Sequence, residues 1–283
     1  MRETLPDPWL ARDPLARSAA GCAGLLSLVL LVACATSHAP GTEPIAADRP
    51  GEATPPSVVG AGIAQIEGGV TWTRRTRGGD PDTNEIVTPG VELRLGVLES
   101  AELQVLVDGW VYEQREDAPN RSNGSDAAFG VKARFTDADG WKPSVGTRLL
   151  ISVPTGGRAI TSDGVDPDLA LLAQWDLSAR TQLLVNAGFG IPSRGADTSG
   201  RLFEFRPQIA LQHMLSDRVA GYVEYAAILA SAGEPDEHGI DGGFAWIPFD
   251  DFQVDVSAGA GLDTTAPDFF VAIGGAWRFA LPR

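Results

Sequence analysis

No cysteine follows Cys34 in this 283-residue chain, and Cys22 is the only one before it. A disulfide framework or a cysteine-based metal site is therefore excluded for everything downstream of the N-terminal segment. Histidine is scarce too, at three residues. Of these, His213 and His238 lie in the patterned part of the chain, too far apart in sequence for a local zinc pair such as H-x-x-x-H. Long hydrophobic runs are missing as well. A helical membrane span needs about 20 consecutive apolar residues, and no such run exists after the N-terminus. Positive charge is in deficit, with 22 Lys and Arg against 37 Asp and Glu, a net charge of −15. Phosphates would be repelled, so nucleic acid is excluded as a partner.

What is present begins with an address. Arg2, Arg12 and Arg17 precede an apolar stretch from Gly24 to Ala33, a positive n-region and short h-region that predict a secretory signal over residues 1–35. Leu31-Val32-Ala33-Cys34 matches a bacterial lipoprotein box, in which Cys34 becomes the lipidated first residue. Ala33-Cys34-Ala35 equally reads as a small-x-small cleavage site, in which case Cys34 is lost with the signal. Residues 36–60 are rich in Pro, Ala, Thr and Gly, a composition that predicts a flexible linker.

From about residue 61 to the end at 283, apolar residues recur at every second position, the spacing of a strand with two different faces. Phe269, Val271, Ile273, Gly275, Trp277 and Phe279 make one face of the last segment; Phe270, Ala272, Gly274, Ala276 and Arg278 make the other. Twelve such segments can be marked, centred near Gly69, Leu93, Val107, Val131, Leu149, Ala173, Val185, Ile209, Val223, Phe244, Val256 and Ile273. Segments of about ten residues suit a tilted strand crossing a membrane. The connections alternate in length. Those at Glu99-Ser100, Asp137–Gly140, Leu177–Arg180, Ser216–Arg218 and Pro248–Asp251 are short, whereas Thr76–Glu85, Glu113–Asp126 and Pro154–Asp166 are longer and polar. Outer-membrane barrels alternate short periplasmic turns with longer external loops in this way. Phe135, Trp141, Trp175, Trp246, Phe249, Phe252, Trp277 and Phe279 all fall beside the proposed periplasmic ends, as an aromatic girdle would. The expected fold is an all-β, closed antiparallel transmembrane barrel of about twelve strands in the bacterial outer membrane. The alternative is a soluble exported β-sandwich or barrel, whose apolar faces would turn into a core.

Three stretches resemble the outer-membrane transporter family associated with the meta-pathway of phenol degradation. They are GVELRLGVLESAELQVLVDGW from Gly90, GVKARFTDADGWKPSVGTRLLISVPTG from Gly130, and DGGFAWIPFDDFQVDVSAGAGLDTTAPDFFVAIGGAWRF from Asp241. With the strands between them the resemblance covers about residues 60–279. It implies a barrel with a role in solute uptake, and brings neither an assigned substrate nor catalytic residues. Two features depart from the family: the lipoprotein-like box, and continuation past Phe279 with Ala-Leu-Pro-Arg.

By parity the candidate lumen-lining charges are Glu92, Arg94, Asp108, Lys132, Arg134, Arg148, Glu204, Arg206, Glu224, Asp241, Asp255 and Arg278. Such groups either pair across a narrow barrel or line a polar path. His213 and Ser216 adjoin in sequence, but the pair lacks an evident orienting partner for a hydrolase. The acidic outer loops, with Asp80, Asp82, Glu113 and Asp163 among them, lack the oxygen spacing of a calcium site. The expectation is a porin-like channel or transporter for small solutes, aromatic or hydrophobic ones included. Outer-membrane lipid is its environment, and no metal, cofactor or catalytic residue is implied. A plugged structural or binding barrel and an embedded hydrolase are the alternatives.

Overall fold

The computed structural model describes residues 44–76, 82–194 and 200–282. The expected signal over 1–35 with Cys34, the first part of the linker and Asp80 lie outside the described residues. The described residues belong to one compact unit, Gly41–Arg283.

Fourteen strand segments are formed: β1 (Ile63–Arg75), β2 (Thr83–Leu98), β3 (Ala101–Val107), β4 (Trp110–Arg115), β5 (Arg121–Gly124), β6 (Ala127–Thr136), β7 (Ser144–Val153), β8 (Asp166–Ser178), β9 (Thr181–Gly190), β10 (Glu204–Ser216), β11 (Val219–Ala230), β12 (Glu237–Phe249), β13 (Phe252–Gly261) and β14 (Phe269–Ala280). They make twelve crossings, because two crossings are each broken into two segments. Both β3 and β4 pair with β2, and β6 and β5 continue the next crossing beside them. The break lies at Asp108-Gly109, opposite Pro89 of β2. Pro89 has no N–H to give the ladder. Gly109 adopts a φ of 67°, and a Cβ there would collide with the Pro89 carbonyl. Pairing of β1 with both β14 and β2 closes the ring. Closure through β1–β2 leaves the ring itself without a free edge, the condition for a sheet to cross lipid.

The two faces are inverted relative to a soluble protein. Val223, Phe244 and Ile273 are each more than half exposed, whereas Arg94, Glu102 and Lys132 have no exposure at all. Apolar side chains outside and charges inside is the pattern of a transmembrane barrel, not of a sandwich. Aromatic residues ring both ends: Trp277 and Phe279 pack at 5.8 Å near the short turns, and Trp72 and Phe269 at 5.2 Å near the long loops. Among the described residues no helix is long and apolar enough to cross a membrane.

Two expectations need correction. Residues 44–60, read from composition as a flexible linker, run inside the barrel, and Ile45, Asp48, Thr54 and Pro56 are buried there. Their low apolar content prevents a core of their own, but the charged wall offers hydrogen-bond partners that a free linker would lack. Part of the loop expected over Glu113–Asp126 is instead the hairpin β4–β5, which extends the sheet outward along β2.

Val223, on β11, is 59% exposed on the outer face. Val223→Arg is expected to lower folding stability in lipid vesicles by roughly 2–4 kcal/mol, read by urea-induced unfolding. No change would mean that lipid does not cover this face.

Candidate functional site: a charged lumen filled by an N-terminal segment

The segment enters beside the β12–β13 turn, where Ile45 N donates to the Asp250 carbonyl at 2.7 Å. Ile45 packs on Ile247 and Ala276. The chain runs along β1 to Asp48 and Arg49, then crosses to β11. There the backbone N–H groups of Glu52 and Ala53 donate to Glu224 at 3.0 and 2.8 Å. Ala53 packs on Leu184 and Ala210. The return limb passes β9 and β7. Asn186 Nδ2 donates to the Thr54 carbonyl at 3.1 Å, and Arg148 Nη1 to Thr54 Oγ1 at 3.0 Å. Finally Val59 N donates to Glu102 at 2.8 Å, and the chain turns through Gly60 into β1.

Arg94 ties the two limbs together. It donates to the Ala46 carbonyl of the outgoing limb and the Ser57 carbonyl of the returning one, each at 3.1 Å. The same guanidinium forks onto Glu102 at 2.7 and 3.0 Å and reaches Glu67 at 2.9 Å. Glu67 in turn accepts the backbone N–H groups of Asp48 and Arg49. The Asp48 carboxylate contacts Lys132 Nζ at 2.6 Å and Arg94 at 3.1 Å. Arg49 meets Asp255 at 2.9 Å. Forked, charge-assisted bonds of this kind are the strong ones, and burial makes each partner necessary to the other.

On the outer side of the segment lies a vestibule of about 650 Å³. Its apolar lining includes Val87, Leu106, Val111, Leu150 and Ile160. Its charged lining includes Glu85, Asp108, Glu113 and Asp168 with Arg121, Arg148 and Arg206. Arg148 borders both spaces, since it also holds Thr54.

The sequence-derived candidates distribute as follows. Arg94, Lys132, Arg148, Glu224 and Asp255 touch the inserted segment. Asp241 accepts the Tyr222 hydroxyl at 2.8 Å beside it. Glu92 lies on the wall, with Oε1 buried and without a protein hydrogen bond. Asp108 and Arg206 line the vestibule, and Glu204 and Asp168 hold Arg206 at 2.6 and 2.7 Å. Arg134 and Arg278 lie at the periplasmic rim, paired with Asp137 and Asp251. His213 bonds the Thr181 hydroxyl at 2.9 Å, and Ser216 accepts from Arg218 N at 3.3 Å. Among the described residues Ser216 and His213 are not hydrogen-bonded to each other.

Residues 47–279 match the family model described as "Putative MetA-pathway of phenol degradation". The chain belongs to this family. No curated protein matches it in sequence. Among solved structures, it is similar to an outer membrane channel from Pseudomonas putida F1, at TM-score 0.60 and 13% identity over 86% of this chain and 100% of that one. It is also similar to the NanC porin, at TM-score 0.51 and 9% identity over 76% of this chain and 98% of that one. The KdgM porin gives TM-score 0.51 and 6% identity over 76% and 99%. At these identities the likeness is one of fold, and that fold is the closed barrel of the bacterial outer membrane.

Sequence reasoning missed Asp48 and Arg49, because they sit in a segment without periodicity. It also missed Gln65, Glu67, Glu102 and Gln104, although parity marks them: Gln65 and Glu67 flank Ile66, and Glu102 and Gln104 flank Leu103, residues of the lipid-facing set. A polar pair spaced by two around an outward apolar residue was the available signal.

Glu102→Gln removes one of the carboxylates on Arg94 and weakens the tie at Val59. It is expected to cost roughly 3 kcal/mol and to expose residues 44–60 to added protease in detergent. Unchanged protection would show that Arg94 does not hold the segment.

Proposed function

We propose that this barrel is an outer-membrane channel for small solutes, and that residues 44–60 are its gate. One observation carries the reading: the level of the lumen that the segment crosses is lined largely by charged and amide side chains, and the segment filling it is held chiefly by ion pairs and hydrogen bonds. The neutral hydrogen bonds among them exchange for contacts with water at a small net cost, about 0.5–1.5 kcal/mol each, so the ion pairs decide how firmly the segment sits. Apolar packing at the seat comes from a few small or single side chains, Ile45, Ala47, Ala53 and Pro56. Ser57 Oγ, Glu92 Oε1, Gln104 Oε1, Arg148 Nε and Asn186 Oδ1 at or near the seat make no hydrogen bond within the protein. A contact built for permanence would bury more apolar surface and leave fewer polar atoms unmatched.

The neighbouring folds support a channel, since the names of all three are those of channels or porins. Passage needs no catalytic group, and the separation of roles between Ser216 and His213 supports no hydrolytic one. An aromatic or hydrophobic portion of a solute would rest on the apolar lining of the vestibule before meeting the charged level below. The N-terminal signal is the expected route of export, with Cys34 as a lipidation candidate at the periplasmic side. The second reading, a permanently plugged barrel that docks partners, rests on the completeness of the Arg94 network.

Planar-bilayer recording separates the two. The wild-type chain is expected to open rarely. Asp48→Asn, which leaves Lys132 buried without its carboxylate, is expected to raise the fraction of time open roughly 100-fold or more. If both proteins, folded by heat-modifiable gel mobility, stay impermeable to ions and to arabinose, the barrel is structural.

A further inference from the structure

Two buried wall charges make their ion pairs with the inserted segment and none with the wall among the described residues. Lys132 is fully buried, and its ion pair is with Asp48. The Asp255 side chain is fully buried, and its ion pair is with Arg49. Arg94, by contrast, already has Glu67 and Glu102. The inserted segment therefore supplies one carboxylate and one guanidinium, from adjacent residues, to these two wall charges.

Those charges face each other. Lys132 is on β6 and Asp255 on β13, five crossings apart round a ring of twelve, one short of diametrically opposite. Arg94 and Arg148 stand on the same side as Lys132, among Glu67, Glu92 and Glu102, whereas Glu224 and Asp241 stand with Asp255. Glu224 is held by backbone N–H groups of the segment, and Asp241 by Tyr222. With the segment withdrawn, the Lys132 cation and the Asp255 anion would confront each other across the lumen without their ion-pair partners. The anionic side is also shaped for its guest. The Arg49 guanidinium lies over Gly69 and Gly274, cross-strand neighbours on β1 and β14, and a Cβ at Gly274 would collide with it.

We propose that Asp48-Arg49 is a built-in stand-in for the solute, and that the lumen site it fills takes zwitterions. The solute class is a small molecule with an anionic group for Lys132 and a cationic group for Asp255, spaced within a dipeptide's reach. Amino acids and short peptides meet this description. The proposal rests on the channel reading above. Lys132 and Asp255 together orient a zwitterion between them, whereas an anion or cation alone satisfies one of them and leaves the other charge buried without an ion-pair partner. Binding of the solute and seating of the segment then compete for the same two side chains.

The test uses the full chain in liposomes, carrying Asp48→Asn to loosen the segment. Swelling is compared in isosmotic glycylglycine, a zwitterion, and arabinose, a neutral solute of similar size. Glycylglycine is expected to enter severalfold faster. The preference should vanish when Lys132→Met is added. It should vanish too in a chain with Arg49→Gln and Asp255→Asn together, a pair of changes that leaves neither charge stranded, while arabinose still enters. Equal rates for the two solutes in the Asp48→Asn chain, or a preference that survives both variants, would overturn the proposal but leave the channel intact. Exclusion of both solutes by a folded barrel would overturn the channel reading and the proposal with it. Should either variant fail to fold, the wild-type chain still decides. Glycylglycine should increase protease cleavage within residues 44–60 and arabinose should not; equal cleavage overturns the proposal.

Discussion

A guanidinium with no solvent exposure must be neutralised where it stands, and Arg94 is the residue on which this constraint falls hardest. Its side chain meets Glu67, Glu102 and Asp48 and two backbone carbonyls of the inserted segment. With its exposure gone, the strands must arrive in the register that brings the carboxylates of Glu67 on β1 and Glu102 on β3 to it. A slip by one residue would turn every charge on those strands toward lipid. The charged interior and the greasy exterior are therefore one specification, enforced from both sides of the same strands.

The same constraint explains why the N-terminal segment lies inside. A ring of twelve strands has an interior too wide for wall side chains to meet across it everywhere. Lys132 and Asp255 are nearly opposite and, among the described residues, find no ion-pair partner on the wall. A stretch of Pro, Ala and Gly residues with adjacent Asp48 and Arg49 is slim enough to thread that space and carries the two missing charges. Glycines on the wall make room for it, Gly146 beneath Pro56 and Gly274 beneath Arg49.

The barrel was legible in the sequence because its outer face is written in alternating apolar residues, and lipid tolerates little else there. All twelve marked centres fall on the twelve crossings, and the short connections fall at the turns. Parity also marked Arg94, Lys132, Arg148, Glu224 and Asp255 as inward. What parity cannot express is which inward charge meets which, since that depends on shear and on side chains several strands away. The inserted segment was illegible for a different reason. Its conformation is set by hydrogen bonds to groups remote in sequence, such as Asn186 and Glu224, and it has no period of its own. Composition alone describes such a stretch as a linker, which is also what it would be outside the barrel. The vestibule hairpin β4–β5 was obscured likewise, because polar strands that extend beyond the lipid need no apolar face.

Charge bookkeeping between segment and wall has a consequence for motion. Withdrawing the segment intact would strand Lys132 and Asp255 together, so the two losses occur in one step and resist it jointly. Replacing its charges one at a time by those of a solute would not. As a carboxylate comes to Lys132, Asp48 is released to water; as a cation comes to Asp255, Arg49 follows. Each intermediate keeps every buried charge paired, which is the lower path through a medium where an unpaired charge costs several kcal/mol. A neutral molecule offers no such path and must wait for the segment to leave unaided. Selectivity in a lumen of this kind would thus arise from which solutes can take over the segment's contacts, and only secondarily from the width of the opening.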